Sequence, residues 1–349
     1  MKVVERFGNR KVDEKNEIGL EIEMEGPNLF YMDLPNYWKE EEDGSLRGHS
    51  MEYVLRRPVL RKDVAKVLDY LNDNFKKNQF KLLPSDRCGV HVHINCQQME
   101  EAEVFNFLTL YFILEEVLTK YCGEDREGNL FCLRAADAEW LLEQLYQAKM
   151  WGTFGNVAVD NLRYAAVNVC ALNKFGSLEF RALRTPADVT KIGTWVELLT
   201  AVKDASLNFK SGKQMIEAVS KRGPMNFLRD IFKDEVRHLQ FRGVENILLE
   251  SARKAQPLAY AKFGSLAKKR EAGIKKKAMK MNVGQQGQGQ GFVGADPWGV
   301  VHEGAPMPDN PQPVDRQARQ RAEQQAFNDW MDQQILAINQ AQAAGRGDR

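Results

Sequence analysis

Three observations predict an α+β protein, with a mainly antiparallel sheet forming a cleft, helices flanking it, and a disordered C-terminal tail. Short alternating apolar runs of strand length come early in the chain. Helical apolar spacing fills the intervals and the region after them, without the regular strand–helix alternation of a doubly wound fold. Near residue 282 the composition turns to Gln, Gly and Pro, which cannot bury enough apolar surface to offset the entropy of ordering.

The first strand is "IGLEIEME", 18–25, in which Ile18, Leu20, Ile22 and Met24 alternate with Glu21, Glu23 and Glu25. A loop rich in Asn, Pro and acidic residues is expected over 26–48, followed by a second strand in "HSMEYVLRRP", 49–58. The helical spacing of Val64, Val67, Leu68, Leu71 and Phe75 predicts a helix across 61–78. "RCGVHVHINC", 87–96, reads as a third strand closed by Asn95. Helical patterns cover 100–122 and 136–149, and the apolar stretch "FNFLTLYFILEEVL", 105–118, suits a buried core helix. "LRYAAVNVCAL", 162–172, and "GSLEFRALR", 176–184, are predicted to pair as strands around the turn "NKFG". After Pro186 the helical pattern returns and runs to about residue 270.

These elements give a body over 1–280, a Gln/Gly/Pro-rich linker over 281–312 and a tail over 313–349. The tail carries Phe327, Trp330, Met331, Ile335 and Ile338 at helical spacing, an amphipathic stripe suited to docking on the body or on a protein partner. The basic run "KKREAGIKKKAMK", 268–280, reads as a solvated helix end. A net charge of +1 with 28% charged residues gives no reason to invoke nucleic acid or an anionic membrane. No apolar run approaches the roughly 20 residues of a membrane span, and the charged N-terminus lacks the apolar region of a secretory leader. Five cysteines, an odd number without CxxC spacing, read as reduced thiols. The expectation is a cytoplasmic protein.

The strands share one peculiarity. Their polar faces carry Glu21 and Glu23, then Glu52, then His91 and His93, then Glu179 and Arg181, rather than the Lys, Thr and Ser of a wet sheet surface. Residues i and i+2 of a strand point the same way, two rises of about 3.3 Å apart, so each pair offers two groups to one cleft. Adjacent carboxylates repel unless a cation sits among them, and carboxylate oxygens with an imidazole nitrogen suit Mg²⁺ or Mn²⁺. Arg163, Arg181 and Arg184 are placed to neutralise phosphate or carboxylate charge. Singly, each element has an ordinary reading: a solvated sheet face for ExE and for Glu52, a core-satisfied pair for HxH, a cross-strand ion pair for EFR. The histidine pair lacks further ligands at structural zinc spacing. The coincidence of all four on alternating strands is what favours a site.

The ordered set "GLEIEMEG", "MEYVLRRPVL", "GVHVHI", "RYAAVNV" and "GSLEFRALRTP" resembles the amidoligase family of the glutamine synthetase-like carboxylate–amine ligase superfamily, which also includes the more distant glutamate–cysteine ligases. The resemblance covers roughly residues 17–200. It implies a glutamine synthetase-like sheet, ATP and Mg²⁺ (or Mn²⁺) as cofactors, and small-molecule or peptide carboxylate and amine substrates. By matching position it makes Glu21, Glu23, His91, His93 and Glu179 the metal-ligand candidates. Arg181 and Arg163 become phosphate or carboxylate clamps, Glu52 a catalytic-strand residue, and Arg184 and Asn168 nucleotide-side contacts. "EYVLRRP" departs from the family's E-hydrophobic-S-P-P strand, with Arg56 and Arg57 where small residues are usual. The chemistry implied is phosphoryl transfer from ATP to a carboxylate, attack of an amine on the acyl phosphate, and release of phosphate. Two alternatives are a guanidino-kinase-like phosphotransferase, which would yield a stable phosphorylated guanidine, and a non-catalytic binding or assembly protein on the same fold.

Overall fold

The computed structural model describes residues 1–286 apart from 10, 13–16, 27–28, 30–33, 35, 43–45, 47, 80–86, 124–125, 127–128, 130–131, 136, 138, 156–164 and 187; side chains are described to residue 275, except 139 and 140. The predicted linker beyond 286, the tail stripe and Arg163 lie outside these residues. One compact unit spans Met1–Arg270 and a second begins at Glu271.

Helix α1 (Val3–Phe7) precedes strand β1 (Ile18–Glu25), whose bounds match the alternating stretch residue for residue. Strands β2 (Trp38–Glu41) and β3 (Ser50–Leu55) follow, then helix α2 (Val64–Lys77), strand β4 (Gly89–Asn95), and helices α3 (Glu101–Cys122) and α4 (Glu139–Trp151). Strand β5 (Val167–Asn168), the short helix α5 (Ala171–Phe175) and strand β6 (Ser177–Arg184) complete the sheet. Helices α6 (Thr190–Ser206), α7 (Gly212–Arg222), α8 (Pro224–Phe232), α9 (Val244–Tyr260) and α10 (Ser265–Gln286) close the described chain. The basic run lies on α10, exposed from Lys268 through Lys275.

The expected α+β class holds. Among the described residues six strands pair antiparallel in the order β2-β3-β1-β4-β6-β5. Two expectations need correction. The loop predicted over 26–48 contains β2, pinned to α2 by the Trp38 indole N–H, which donates to the Val67 carbonyl at 3.0 Å. The predicted strand over 162–172 shrinks to two described residues, and "NKFG" ends a helix rather than turning a hairpin. Side chains distant in sequence decide this. Asn9 donates to the carbonyls of Leu172 and Asn173 at 3.1 and 2.8 Å, and Gln97 to that of Phe175 at 3.0 Å. They satisfy helix-end groups that a strand would have used in a ladder.

The sheet's apolar face carries Ile18, Leu20, Ile22, Val90, Val92, Ile94, Leu178 and Phe180, all buried. Helix α3 lies on it, with the Phe107 and Tyr111 rings 5.5 and 5.0 Å from that of Phe180. Four of the five cysteines are buried and all five are unbridged, as expected of reduced thiols used as small core residues. Among the described residues no helix is long and apolar enough to cross a membrane.

Helix α3 also buries a carboxyl. One oxygen of Glu115 accepts from the Ala135 N–H at 2.8 Å and the other has no hydrogen-bond partner among the described residues. Burial pushes this group from an ordinary 4.5 up to about 8. Across that window the native chain keeps a proton that the unfolded chain has released, so the group's contribution to stability falls as pH rises from 4.5 to about 8. Glu115→Gln is therefore expected to raise Tm at pH 8 by several degrees (a gain on the order of 1–3 kcal/mol) and to lose that advantage near pH 4. A melting series showing a pH-independent difference would refute the assignment.

Candidate active site

The register brings the predicted residues onto one face. Glu23 lies opposite Glu52, Glu21 opposite His91, and His93 opposite Glu179, which in turn faces Asn168. Alternation along each strand buries the aliphatic partners on the other side, so one pattern both builds the core and lines the face.

His91 sits among three carboxylates. Its Nδ1 is 3.1 Å from Glu21 Oε2 and 3.6 Å from Glu179 Oε1, and its Nε2 is 3.5 Å from Glu23 Oε1. His93 is oriented by Ser177, whose hydroxyl lies 3.0 Å from Nδ1. This turns Nε2 toward Glu21 Oε1 at 3.3 Å, yet without the alignment of a hydrogen bond, so Nε2 is a buried polar atom lacking a hydrogen-bond partner among the described residues. Gly19 makes room for this ring, since a Cβ there would come within 3.1 Å of the His93 Cβ.

Glu179 is held from two sides. The Asn168 amide donates to its Oε2 at 2.7 Å and the Arg181 guanidinium donates to Oε1. Asn168 Oδ1 accepts from the Cys170 N–H at 2.9 Å, which fixes the amide's orientation. Glu23 accepts from the Gly89 N–H at 2.7 Å. Thr185, just past β6, locks this corner by donating to the Glu23 and Gly89 carbonyls at 2.7 and 3.0 Å.

Burial alone pushes the Glu21 and Glu179 carboxyls up. The two imidazoles more than offset this at Glu21 and hold it well below the carboxylate range. At Glu179 the offset comes from His93, Arg181 and His91, and the net shift is again downward. For His93, burial pushes the imidazole down, but the adjacent Glu21 and Glu179 carboxylates reverse the direction, and it ends raised. The site keeps carboxylates ionised inside a nearly dry face.

Among the described residues, two groups of ligand atoms lie within 4.8 Å of one another: Glu21, His93 and Glu179, and Glu21, Glu52 and His91. Glu21 belongs to both. Oxygen donors with one imidazole each match a hard divalent cation, and the orphaned His93 Nε2 is the kind of buried acceptor that a cation would satisfy. The residues fit such ions.

Arg181 and Arg184 also share this face, although three positions apart on one strand. The reason is a bulge. Val92 pairs with Phe180 but Val90 pairs with Leu183, so two residues of β6, Arg181 and Ala182, face one position of β4. Alternation resumes with Leu183 in the core and Arg184 in register with Gly89.

Three contributors escaped the sequence reading. Ser177 and Gly19 set the pose of His93, and their signal is only a small residue opposite a histidine. Arg126 lies in the polar stretch "CGEDREGN", yet it is 2% exposed and reaches the bulge. A Cβ on Gly89 would sit 3.1 Å from Arg126 Nη2, 3.4 Å from Glu23 Oε2 and 3.5 Å from His91 Nε2, so the glycine leaves space where the three groups converge.

Residues 39–203 match the model of a family described as "putative amidoligase enzyme". No curated protein matches the chain. The matched span begins within β2 and ends within α6, and so holds Glu52, both histidines, Glu179, Arg181 and Arg184; β1, with Glu21 and Glu23, precedes it and joins the site through register alone. Residues 39–203 are thus similar to the amidoligase family that the chain's motifs resemble, which supports a ligase-type function.

Proposed function

We propose that the protein is an ATP-dependent carboxylate–amine ligase that forms an amide through an acyl phosphate. One observation carries the reading: Glu21, Glu23, Glu52, His91, His93 and Glu179 converge on one sheet face together with Arg181 and Arg184. Clustered carboxylates held ionised in a half-dry cleft, with guanidinium groups at their side, suit the Mg²⁺ form of a triphosphate better than any neutral ligand.

In this reading Glu21, Glu23, Glu52, His91, His93 and Glu179 hold Mg²⁺ or Mn²⁺, with Glu21 common to both groups. Bound there, the divalent ions would neutralise triphosphate oxygens and polarise the phosphoryl group. Arg181 stabilises charge developing on that group during transfer to the substrate carboxylate, and Arg184 contacts the nucleotide from the same strand. Asn168 acts by orienting Glu179, since its amide is already engaged there. A free carboxylate is a poor electrophile, which is the physical reason for consuming ATP before the amine attacks. The attacking amine must shed a proton, and in this reading a glutamate left free of the ions takes it.

The test is ATP turnover by the full chain with Mg²⁺ or Mn²⁺ over a panel of carboxylates and amines, reading ADP, phosphate and new masses. The expected result is amine-dependent phosphate release that Glu179→Gln reduces at least a hundredfold, consistent with loss of a ligand. ADP with a phosphorylated guanidine would move the protein to the guanidino kinases, and unchanged turnover in Glu179→Gln would remove the metal assignment.

A further inference from the structure

From the contacts of Arg126 we infer that it is a positioning residue, holding the bulge in β6 and thereby presenting Arg181 and Arg184 together to the cleft. Its guanidinium donates from Nε to the Ala182 carbonyl at 2.8 Å and from Nη2 to the Arg181 and Leu183 carbonyls at 3.3 and 3.4 Å. In a regular strand successive carbonyls point to opposite sides. One planar group can collect three in a row only where the backbone is bulged. The bulge in turn leaves carbonyls out of the β4 ladder, and buried carbonyls need partners. Arg126, 2% exposed, supplies several donors in a fixed fork, a geometry that lysine lacks.

The bulge matters because of parity. Three residues separate Arg181 from Arg184, so an uninterrupted pleat would turn them to opposite faces. The extra residue, Ala182, resets the alternation. Leu183 then reaches the core beside Val90, and Arg184 reaches the face beside Gly89. Arg126 also fills the space above Gly89, its Nη2 only 3.1 Å from where a Cβ would stand, closer than ordinary van der Waals contact. It thus braces the bulge against the strand that carries both histidines.

Parity makes a specific test available. Removing Ala182 would convert β6 into a regular strand with Arg181 and Arg184 two positions apart, still on one face and in the same register with β4. That strand presents no bulge for Arg126 to hold. Arg126→Met and deletion of Ala182 should each be harmful alone, and the double variant should recover. The probes are affinity for the non-hydrolysable nucleotide AMP-PNP with Mg²⁺, and amide hydrogen exchange across 177–184. Arg126→Met and Arg126→Lys are expected to exchange at least tenfold faster in that segment and to bind AMP-PNP at least tenfold more weakly. The double variant is expected to regain most of both. A core-filling role for Arg126 would show no such recovery, and that result, or unchanged exchange in the single variants, overturns the inference.

The part concerning nucleotide rests on the ligase reading. If the parent binds no nucleotide, that reading fails, and the positioning role is then decided by the exchange data alone. Acceleration confined to 177–184 and reversed by deleting Ala182 supports it, and anything else refutes it. Should Arg126→Met not fold, Arg126→Lys with and without the deletion carries the same comparison.

Discussion

Glu21→Gln is expected to abolish metal-dependent turnover, a loss of roughly a thousandfold or more, because several kcal/mol of charge stabilisation go with the ions. The expectation is larger than for any other ligand candidate because Glu21 alone belongs to both groups of convergent donors. It is also central in the metal-free face, facing His91 at 3.1 Å and His93 at 3.3 Å. Removing the negative charge leaves two imidazoles without their shared partner. Melting experiments provide a readout independent of turnover. Mn²⁺ should raise Tm of the parent in proportion to ln(1 + [Mn²⁺]/Kd) and leave Glu21→Gln nearly unmoved. The same assay has a pH signature. His93 is held raised by Glu21 and Glu179, so its imidazole must lose a proton before it can ligate. Mn²⁺ affinity should climb as pH rises through and beyond the ordinary imidazole range, by up to about tenfold per pH unit for one proton released. In the metal-free protein the sign reverses: the His93–Glu21 pairing contributes fully below the ordinary imidazole value and is lost as pH rises through the raised one. Equal Mn²⁺ stabilisation of parent and Glu21→Gln would show that the ions, if bound, lie elsewhere.

Gly212→Val is expected to be strongly destabilising although it lies away from the site. Gly212 opens α7, where Ser211 caps the helix by accepting from the Gln214 N–H. A Cβ at 212 would fall 2.7 Å from both the Cα and the carbonyl oxygen of Ala259, and 2.9 Å from Thr109 Cγ2. Those Ala259 atoms are backbone near the end of α9, and no rotamer change can move them aside. Relief requires α7 to back away from α9 and α3, exposing packed surface. Overpacking of this kind costs roughly 3 kcal/mol, which for a unit of this size lowers Tm by roughly 5 °C. Gly273→Ala is the matched control, since a Cβ there meets nothing within 4 Å and should leave Tm unchanged or slightly higher. A Gly212→Val protein that melts with the parent would contradict the close packing of α7 on α9.

How much of this was legible before the structure depends on where each constraint originates. β1 could be bounded to the residue because its apolar and charged positions contrast at every step, and the face it shows is fixed by that same contrast. The carboxylates and histidines followed, since alternation places them together once the strands pair. β2 escaped because its four residues form a strand only through β3 and α2, contacts absent from any local pattern. The β-branched stretch before α5 suggested a longer strand, yet Asn9 and Gln97, far away in sequence, bind the carbonyls of Leu172, Asn173 and Phe175 and cap the chain there as a helix. Period-two reasoning also hid a difficulty. It cannot place Arg181 and Arg184 on one face, and only the bulge reconciles them. Arg126 had no signal at all beyond being an arginine in a polar loop, because its partners are backbone carbonyls, which the sequence does not distinguish.

The burial of α3 has a consequence for how the chain is made. Sixteen of its residues are buried, on nearly every side, although its sheet-facing side needs only strands completed by Arg184. Its other side is covered by α9, which ends at Tyr260. Roughly 140 residues separate the ends of α3 and α9, so at about 5–20 residues per second the ribosome leaves the α9-facing side uncovered for roughly 7–28 s. A nascent chain stalled or truncated before α9 would therefore present α3 with its α9-facing side uncovered. Such chains should be held by chaperones or precipitate, even with every residue of the carboxylate face already synthesised.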